Sequence, residues 1–300
     1  MSVLRRGFAA LPPAVRLSAL HGLGRYAPWE AGFDFTPPPL DPREEAGPPD
    51  FVGIGVQKAG TTWWYTLLLT HPGISSRPDI HKERHFFDRF GDEPFGASDI
   101  EDYYGWFPRR PGTLAGEWTP DYFTHPWVAP LVRRAAPQAR LLLLLRDPVE
   151  RYFSGLAHQK RLGLRCDGPT MAEAVQRGMY NQALTQWLEH FDPSQILVLQ
   201  HERCVNDTDG QLATTFQFLG LSEYYLSDSE RPARPPRDAA RRAHDEDVRA
   251  RLVDLYADDV AALVARRPEI DLTLWPSFAY LTGGDASSAS NESISPTRRR

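Results

Sequence analysis

The sequence predicts an α/β fold with a central, mainly parallel sheet flanked by helices. Residues 51–55 and 195–200 form short apolar runs, and residues 141–145 are five consecutive leucines. Unbroken aliphatic runs are typical of parallel strands buried on both faces, since half-exposed strands alternate polar and apolar residues. Because segments with helical periodicity separate these runs, strands and helices alternate along the chain, as they do in parallel α/β sheets.

The composition indicates one large domain with an extension at each end. The 300 residues are 41% hydrophobic, which is enough for a substantial core. Residues 1–48 predict an irregular arm rich in Pro and Arg, residues 49–280 the domain, and residues 281–300 a disordered polar tail. The formal net charge of -5 argues against a general nucleic-acid binder. Any phosphate must therefore be bound by a local basic cluster.

The first element, residues 51–70, predicts a strand, a tight loop and the start of a helix. Gly55 and Gly60 keep the spacing of the phosphate loop G-x-x-x-x-G-K-[ST]. Thr61, however, stands where the Lys is expected, and Lys58 lies inside the loop. Backbone and hydroxyl donors at a helix N-terminus attract anions. We interpret the loop as a site for an anionic nucleotide that needs no metal; the alternative is a turn that binds nothing.

Residues 80–88 concentrate ionisable groups beside two phenylalanines. One interpretation is a solvated turn anchored by Phe86 and Phe87. The other is a catalytic strand or loop in which Glu83 acts as a general base. An unperturbed Glu, with a pKa of about 4.3, is a weak base. Burial against Phe86 and Phe87 is therefore expected to raise the pKa of Glu83 and strengthen it as a base.

The leucine strand leads directly into a second helix. Asp147 is a suitable N-cap, Pro148 suits the first helical position, and Glu150 completes a pattern like a capping box. Ligands of open α/β sheets bind at the carboxyl ends of parallel strands. Arg146 stands at such an end, so we expect its guanidinium to bind phosphate beside Lys58. A salt bridge from Arg146 to Asp147 or Glu150 is the alternative.

Further segments continue the alternation. Residues 61–69, 178–188 and 248–263 predict helices with apolar faces, and the first of them ends at a Pro-Gly pair. Residues 116–123 predict a strand end that turns at Pro120.

The sequence predicts a cytoplasmic location. Cys166 and Cys204 are too few for a disulfide scaffold and fit a reducing compartment. Residues 1–24 contain no continuous apolar run, so neither a signal peptide nor a membrane span is expected. A short amphipathic helix with an apolar stripe at residues 17, 20 and 23 is the alternative, which would allow peripheral association with a membrane.

Several motifs across residues 50–275 resemble those of the sulfotransferases, which transfer a sulfuryl group from 3'-phosphoadenosine 5'-phosphosulfate (PAPS) to a hydroxyl or amine. Residues 57–62 are similar to the family's 5'-phosphosulfate loop, and residues 145–154 to its 3'-phosphate motif. Residues 82–88, residues 119–123 and the helix at residues 178–188 resemble the carbohydrate branch, typified by heparan sulfate sulfotransferases and their bacterial relatives.

The resemblance implies a P-loop-like three-layer sandwich and a role for each matched residue. Lys58 would stabilise charge on the leaving phosphate, and Glu83 would deprotonate the acceptor, with His85 as second choice for the base. His85 and Asp88 would line the acceptor site, and Trp63 would lie near the adenine. The acceptor would be a glycan or small molecule, and the chemistry would need no metal. The residues that would bind PAPS are Lys58, Ala59, Gly60, Thr61, Thr62, Trp63, Arg146 and Ser154.

One departure from the motifs of the carbohydrate branch leaves the acceptor open, and two other functions are alternatives to sulfuryl transfer. Trp118 stands where the carbohydrate branch often has a Lys before its Thr-Pro pair. A neutral sugar, glycolipid or other hydroxylated metabolite is therefore as compatible an acceptor as a glycosaminoglycan. A nucleotide or small-molecule kinase would need a Lys after Gly60 and an Asp where Arg146 stands. A non-catalytic anion-binding protein of the same fold is the other alternative, against which Glu83 beside an intact loop argues.

Overall fold

The computed structural model describes residue 15 and residues 37–283, except residues 92, 165, 228, 230 and 234–245. The apolar stripe predicted at residues 17–23 and almost all of the predicted tail lie outside the described residues. Within the described part of the predicted arm, Glu45 forms an isolated antiparallel bridge with Arg109. No helix in the described parts of the chain is long and apolar enough to cross a bilayer.

A four-stranded parallel sheet forms the centre of the domain. The strands are β1 (Phe51–Gly55), β2 (Gly116–Trp118), β3 (Arg140–Leu145) and β4 (Ile196–Gln200), in the order β2-β1-β3-β4. Every pairing between neighbours is parallel. All five leucines of β3 are fully buried, which explains their unbroken run. The predicted α/β fold with a parallel sheet is confirmed.

Nine helices of the described residues surround or follow these strands. The helices are α1 (Thr61–Leu68), α2 (Ala97–Tyr104), α3 (Val128–Ala135), α4 (Pro148–Arg161), α5 (Gly168–Gln176), α6 (Tyr180–Leu188), α7 (His201–Asn206), α8 (Thr208–Phe218) and α9 (Glu246–Arg266). Short 3-10 helices include Asp88–Phe90 and Pro120–Thr124. Residues 81–87 contain no strand, so the candidate catalytic segment is a loop.

The cap of α4 is partly as predicted. The Asp147 carboxylate accepts hydrogen bonds from the amides of Val149 at 2.9 Å and Glu150 at 3.2 Å, which confirms the N-cap. Glu150 instead forms an ion pair with Arg249 of α9 at 2.9 Å. The first turn of α4 is therefore held against the last long helix as well as against its own cap.

Trp118 is a core residue and does not reach a ligand-facing surface. Its indole is fully buried, and Nε1 donates to the carbonyl of Gly55 at 3.1 Å. A Cβ at Gly53 would lie 2.1 Å from Trp118 Cδ2, so only glycine leaves room for the indole over β1. The side chain before the Thr-Pro pair therefore packs β2 against β1.

Candidate active site

Since all four strands are parallel, their carboxyl ends lie along one edge of the sheet. The phosphate loop follows β1, Thr119 follows β2, Arg146 follows β3 and His201 follows β4. This edge gathers residues that are separated by up to about 140 positions in the chain. The candidate site is built there.

The phosphate loop depends on two left-handed backbone positions. Lys58 has a φ of 71° and Gly60 a φ of 91°. A Cβ at Gly60 would also lie 2.9 Å from His201 Nδ1, so glycine is needed for space as well as for conformation. Ala59 is fully buried under the loop, and its amide donates to the carbonyl of Val56 at 3.2 Å. Ala59 is therefore held inside the loop, and its contact with PAPS stays a prediction.

A cleft of about 1050 Å³ opens above this loop. Arg146 Nη1 donates to the carbonyl of Lys58 at 3.2 Å, which ties the end of β3 to the loop. Tyr180 fixes the backbone at the same point by donating to the carbonyl of Arg146 at 2.9 Å. The cleft is lined by Lys58, Gly60, Thr61, Thr62, Trp63, Arg146 and Ser154, which are all the predicted PAPS-binding residues except Ala59.

Two carboxylates lie together on the wall of the cleft. Glu202 accepts from the amide of Asp147 at 3.1 Å and from Trp275 Nε1 at 2.9 Å. Burial raises the pKa of Glu202 to about 7, although these hydrogen bonds oppose it. Burial also raises the pKa of Asp147. The wall therefore gains negative charge as the pH rises through neutrality.

Lys82 joins the candidate base to the phosphate loop. Its Nζ lies 2.8 Å from Glu83 Oε1 and donates to Thr61 Oγ1, the first residue of α1, at 3.2 Å. Burial lowers the pKa of Lys82, although its contact with Glu83 opposes this. The lysine thus brings Glu83 to the edge of the phosphate loop.

A chain of hydrogen-bonded groups continues from Glu83 into the protein. His85 Nε2 lies 3.3 Å from Glu83 Oε2, and His85 Nδ1 lies 2.5 Å from Asp88 Oδ2. The second oxygen of Asp88 lies 3.0 Å from His125 Nδ1. Burial alone would lower the pKa of His85, but Asp88 and Glu83 raise it to about 10. His85 is therefore a cation at neutral pH and holds no free lone pair with which to accept a proton.

The expected rise in the pKa of Glu83 is wrong. Phe86 and Phe87 are fully buried, and burial does act to raise this pKa. The hydrogen bond to His85 and the attraction to Lys82 together outweigh burial and lower the pKa to about 2. A carboxylate between two cations is stabilised in its charged form more strongly than neighbouring apolar rings destabilise it.

A second ionic cluster faces the loop from α5. Arg177 Nη1 donates to the side-chain oxygen of Gln57, and Arg177 Nη2 lies 3.3 Å from Asp121 Oδ1. The same nitrogen donates to Glu173 at 2.7 Å. Asp121 also raises the pKa of Lys82, which indicates that the two clusters are close enough to interact.

His158 is a further titratable group near Glu83 and Lys58. It lies on α4 one turn beyond Ser154. Burial lowers the pKa of His158, and the charge of Lys58 lowers it further. Glu83 acts in the opposite direction on the same imidazole. His158 is therefore electrostatically coupled to both sides of the candidate site.

Sequence reasoning gave no role to several residues of this site. Lys82 and Asp121 could have been found, since each stands in a motif already singled out. The others had no local signal, because they come from separate elements and meet only in the folded chain. They are His125, His158, Arg177, His201 and Glu202.

Comparison with known proteins agrees with this geometry. The family model described as the sulfotransferase domain matches residues 48–231. Heparan sulfate glucosamine 3-O-sulfotransferase 6 of Mus musculus is 32% identical over 187 residues, covering 58% of this chain and 52% of that protein. Bifunctional heparan sulfate N-deacetylase/N-sulfotransferase 4 of Mus musculus is 30% identical over 206 residues, covering 59% of this chain and 23% of that protein. The chain thus spans about half the length, or less, of these curated relatives.

Among solved structures, the sulfotransferase from Alicyclobacillus acidocaldarius has the same fold. It superposes with a TM-score of 0.62 at 24% identity, covering 76% of this chain and 98% of that one. The fold class and the family expected from the sequence are both confirmed. Since the family match covers more than half of the residues of this chain, the chain belongs to the sulfotransferase domain family.

Proposed function

We propose that this protein transfers a sulfuryl group from PAPS to a hydroxyl or amine of a carbohydrate, glycolipid or other metabolite, with Glu83 as general base. The contact of Lys82 with both Glu83 and Thr61 carries the proposal. It brings an ionised carboxylate to the edge of an anion-binding loop, so a base and a donor site would share one cleft.

The residues of the cleft fit a doubly phosphorylated nucleotide. Lys58 and Arg146 supply positive charge, and the hydroxyls of Thr61, Thr62 and Ser154 supply donors along the same surface. PAPS would contribute a sulfuryl group that is already activated by its phosphate leaving group. Positioning, one base and a cation at the leaving oxygen are then sufficient for transfer.

The charge states support Glu83, and not His85, as the base. Glu83 is ionised and His85 is protonated at neutral pH. A carboxylate of low pKa accepts a proton only late, once the acceptor oxygen has begun to bond to sulfur and its proton has become strongly acidic. Glu83 would take this proton as the bond from sulfur to the bridging oxygen breaks. The bond's electron pair would leave with the phosphate, where Lys58 would stabilise the charge.

The charge pairing around Glu83 supports a neutral, hydroxyl-rich acceptor. Lys82, His85 and Arg177 each have a carboxylate partner within 3.3 Å. Cations that are already paired offer little net attraction to a dense polyanion, and the carboxylates repel it. The two relatives described above are named for action on heparan sulfate, which is anionic, so an acceptor comparison between sulfated and neutral glycans tests this part of the proposal.

Binding of the product 3'-phosphoadenosine 5'-phosphate (PAP) tests the nucleotide site. At about 100 times Kd, PAP should stabilise the protein by about 2.7 kcal/mol in buffer containing EDTA. We expect Lys58→Ala to reduce this stabilisation. No shift of Tm at saturating PAP would contradict the proposal, and a strict need for Mg²⁺ with ATP would favour a kinase.

Transfer of labelled sulfate to a panel of glycans, lipids and metabolites tests the catalytic role. We expect Glu83→Gln to keep the affinity of the protein for PAP and to lose about 10²–10⁴-fold in transfer rate. Glu101→Gln, an exposed carboxylate on α2, is the control and should transfer at the wild-type rate. A wild-type rate in Glu83→Gln with a verified acceptor would exclude Glu83 as the base.

A further inference from the structure

A buried carboxylate lies beneath the loop that carries Glu83. Glu117 of β2 is fully buried, and Oε2 accepts from Thr119 Oγ1 at 2.6 Å. Oε1 accepts from the hydroxyl of Tyr103 at 2.7 Å and from that of Tyr122 at 3.3 Å. The amide of Arg84 also donates to Glu117 Oε2, at 3.3 Å. A buried carboxylate with this many donors forms an organised polar network, in which each partner fixes the others.

The same hydroxyls hold the backbone of the catalytic loop. Thr119 Oγ1 accepts from the amides of Arg84 at 2.9 Å and His85 at 3.4 Å. The Tyr122 hydroxyl accepts from the amide of Phe86 at 2.9 Å. Three consecutive amides of the loop are thus bound by two side chains that follow β2. The start of the loop is bound as well, since the carbonyl of Lys82 accepts from the amide of Trp118 at 3.1 Å.

Glu117 determines the direction of these hydrogen bonds. A backbone amide can only donate, so the hydroxyls of Thr119 and Tyr122 must accept from the loop. Their own protons must then point elsewhere, and Glu117 is the acceptor that both of them contact. If the hydroxyl proton of Thr119 had no such acceptor, the hydroxyl could rotate, and the amides of the loop would lose the lone pairs that they need.

The loop needs this support because the backbone conformation at His85 is energetically unfavourable. His85 has a φ of 49°, in the left-handed region that residues other than glycine rarely adopt. Such a conformation persists when surrounding contacts over-determine it. The hydrogen bonds to Thr119 and Tyr122 lie on His85 and its two neighbours, where the support is required.

We propose that Glu117 and Thr119 are positioning residues, which hold the backbone of residues 84–86 so that Glu83 stays in contact with Lys82 and His85. The catalytic part of this inference rests on the proposed role of Glu83. Neither residue is placed against the nucleotide or the acceptor. They act through the conformation of the loop.

A set of threonine variants tests the proposal. Thr119→Val removes the hydroxyl and keeps the shape, whereas Thr119→Ser keeps the hydroxyl. Thr215→Val is the matched control, because Thr215 is also fully buried but donates within its own helix, to the carbonyl of Gln211. Each variant is compared with the wild type for Kd of PAP and for kcat with a verified acceptor.

We expect Thr119→Val to keep Kd for PAP within about 3-fold and to lower kcat by about 10²-fold, the effect of a displacement of about 1 Å at a reacting group. Thr119→Ser should recover kcat to within about 3-fold of the wild type, and Thr215→Val should leave it unchanged. Wild-type kcat in Thr119→Val, or a loss that Thr119→Ser does not recover, would overturn the proposal.

A spectroscopic measurement separates this inference from the proposed function. NMR titration of the His85 imidazole, assigned with His85→Asn, needs no acceptor. We expect the pKa of His85 to fall from about 10 towards its usual range in Thr119→Val, since His85 would leave Asp88 and Glu83. An unchanged pKa would overturn the positioning role even in a protein that does not bind PAP. If Thr119→Val does not fold, we would measure Tyr122→Phe in its place, because this variant also removes one hydroxyl that binds the loop. A fall in the pKa of His85 is again expected, and an unchanged pKa would again overturn the positioning role.

Discussion

Replacing Asp88 by Asn should destabilise the protein in a way that depends strongly on pH. Asp88 is buried and lies 2.5 Å from His85 Nδ1, and with Glu83 it raises the pKa of His85 to about 10. The unfolded chain has the usual His pKa of about 6.5. Because the folded pKa is the higher one, the contribution of His85 to stability is fully present below about pH 6.5. It is lost as the pH rises through about 10.

The magnitude follows from the size of the pKa shift. Each pKa unit corresponds to about 1.4 kcal/mol, so the full shift of His85 sets an upper limit of about 5 kcal/mol. Glu83 stays in place in Asp88→Asn, and the Asn side chain can still accept a hydrogen bond. We therefore expect Asp88→Asn to remove about half of this upper limit from the contribution of His85 to the free energy of unfolding. The destabilisation by Asp88→Asn should fall by about 1.5 kcal/mol between about pH 6.5 and about pH 9.5, since part of the contribution of His85 remains just below its folded pKa of about 10.

Urea unfolding of wild type and variant at about pH 6.5, 8 and 9.5 measures this difference. Titrating groups that do not contact Asp88 affect both proteins alike, so they cancel in the comparison. Asp99→Asn is the control: Asp99 accepts from the amide of Gly96 at 2.8 Å at the start of α2 and contacts no histidine in the parts of the chain that the structure describes. Asn can still accept this hydrogen bond, so the Asp99→Asn variant should lose less than about 1 kcal/mol, and equally at all three pH values. A destabilisation by Asp88→Asn that is the same at all three pH values would refute the reasoning.

Three further changes have defined outcomes. Gly53→Ala should cost about 3 kcal/mol of stability in urea unfolding, because its Cβ would lie 2.1 Å from an indole carbon of β2. Gly168→Ala, with no atom within 4 Å, should be neutral, and equal stabilities of the two variants would contradict the packing argument. Lys82→Met should raise the pKa of Glu83 from about 2, so the acid limb of the pH–rate profile should move to higher pH. An acid limb at the same pH in the variant would show that Lys82 does not determine the pKa of Glu83. Calorimetry should find that PAP binds more weakly as the pH rises through about 7, where Glu202 gains its charge, and Glu202→Gln should remove that trend. A trend that survives this substitution would assign it to another group.

The sequence alone was sufficient for the features that depend on short-range chemistry. Five consecutive leucines indicate a strand buried on both faces whatever surrounds them, and β3 is that strand. The spacing of Gly55, Lys58 and Gly60 predicts a phosphate loop, and at Gly60, with a φ of 91°, the residue type permits the backbone conformation that the loop needs. Asp147 followed by Pro148 predicts a helix start for the same local reason. The domain limits at residues 49 and 280 and the cytoplasmic location stay predictions.

Only the tertiary structure decided the charge state of the candidate base and the support of its loop. The pKa of Glu83 depends on Lys82 and His85, whose side chains could have pointed in any direction from the same motif. The expected effect of burial was real and is the largest single contribution to the pKa of Glu83, but the contacts with His85 and Lys82 together outweigh it. Glu117 lies more than 30 positions from the loop that its network holds. Its partnership with that loop exists because the loop packs beside the edge strand β2, where the amide of Trp118 donates to the carbonyl of Lys82, and no local pattern in the sequence encodes that meeting.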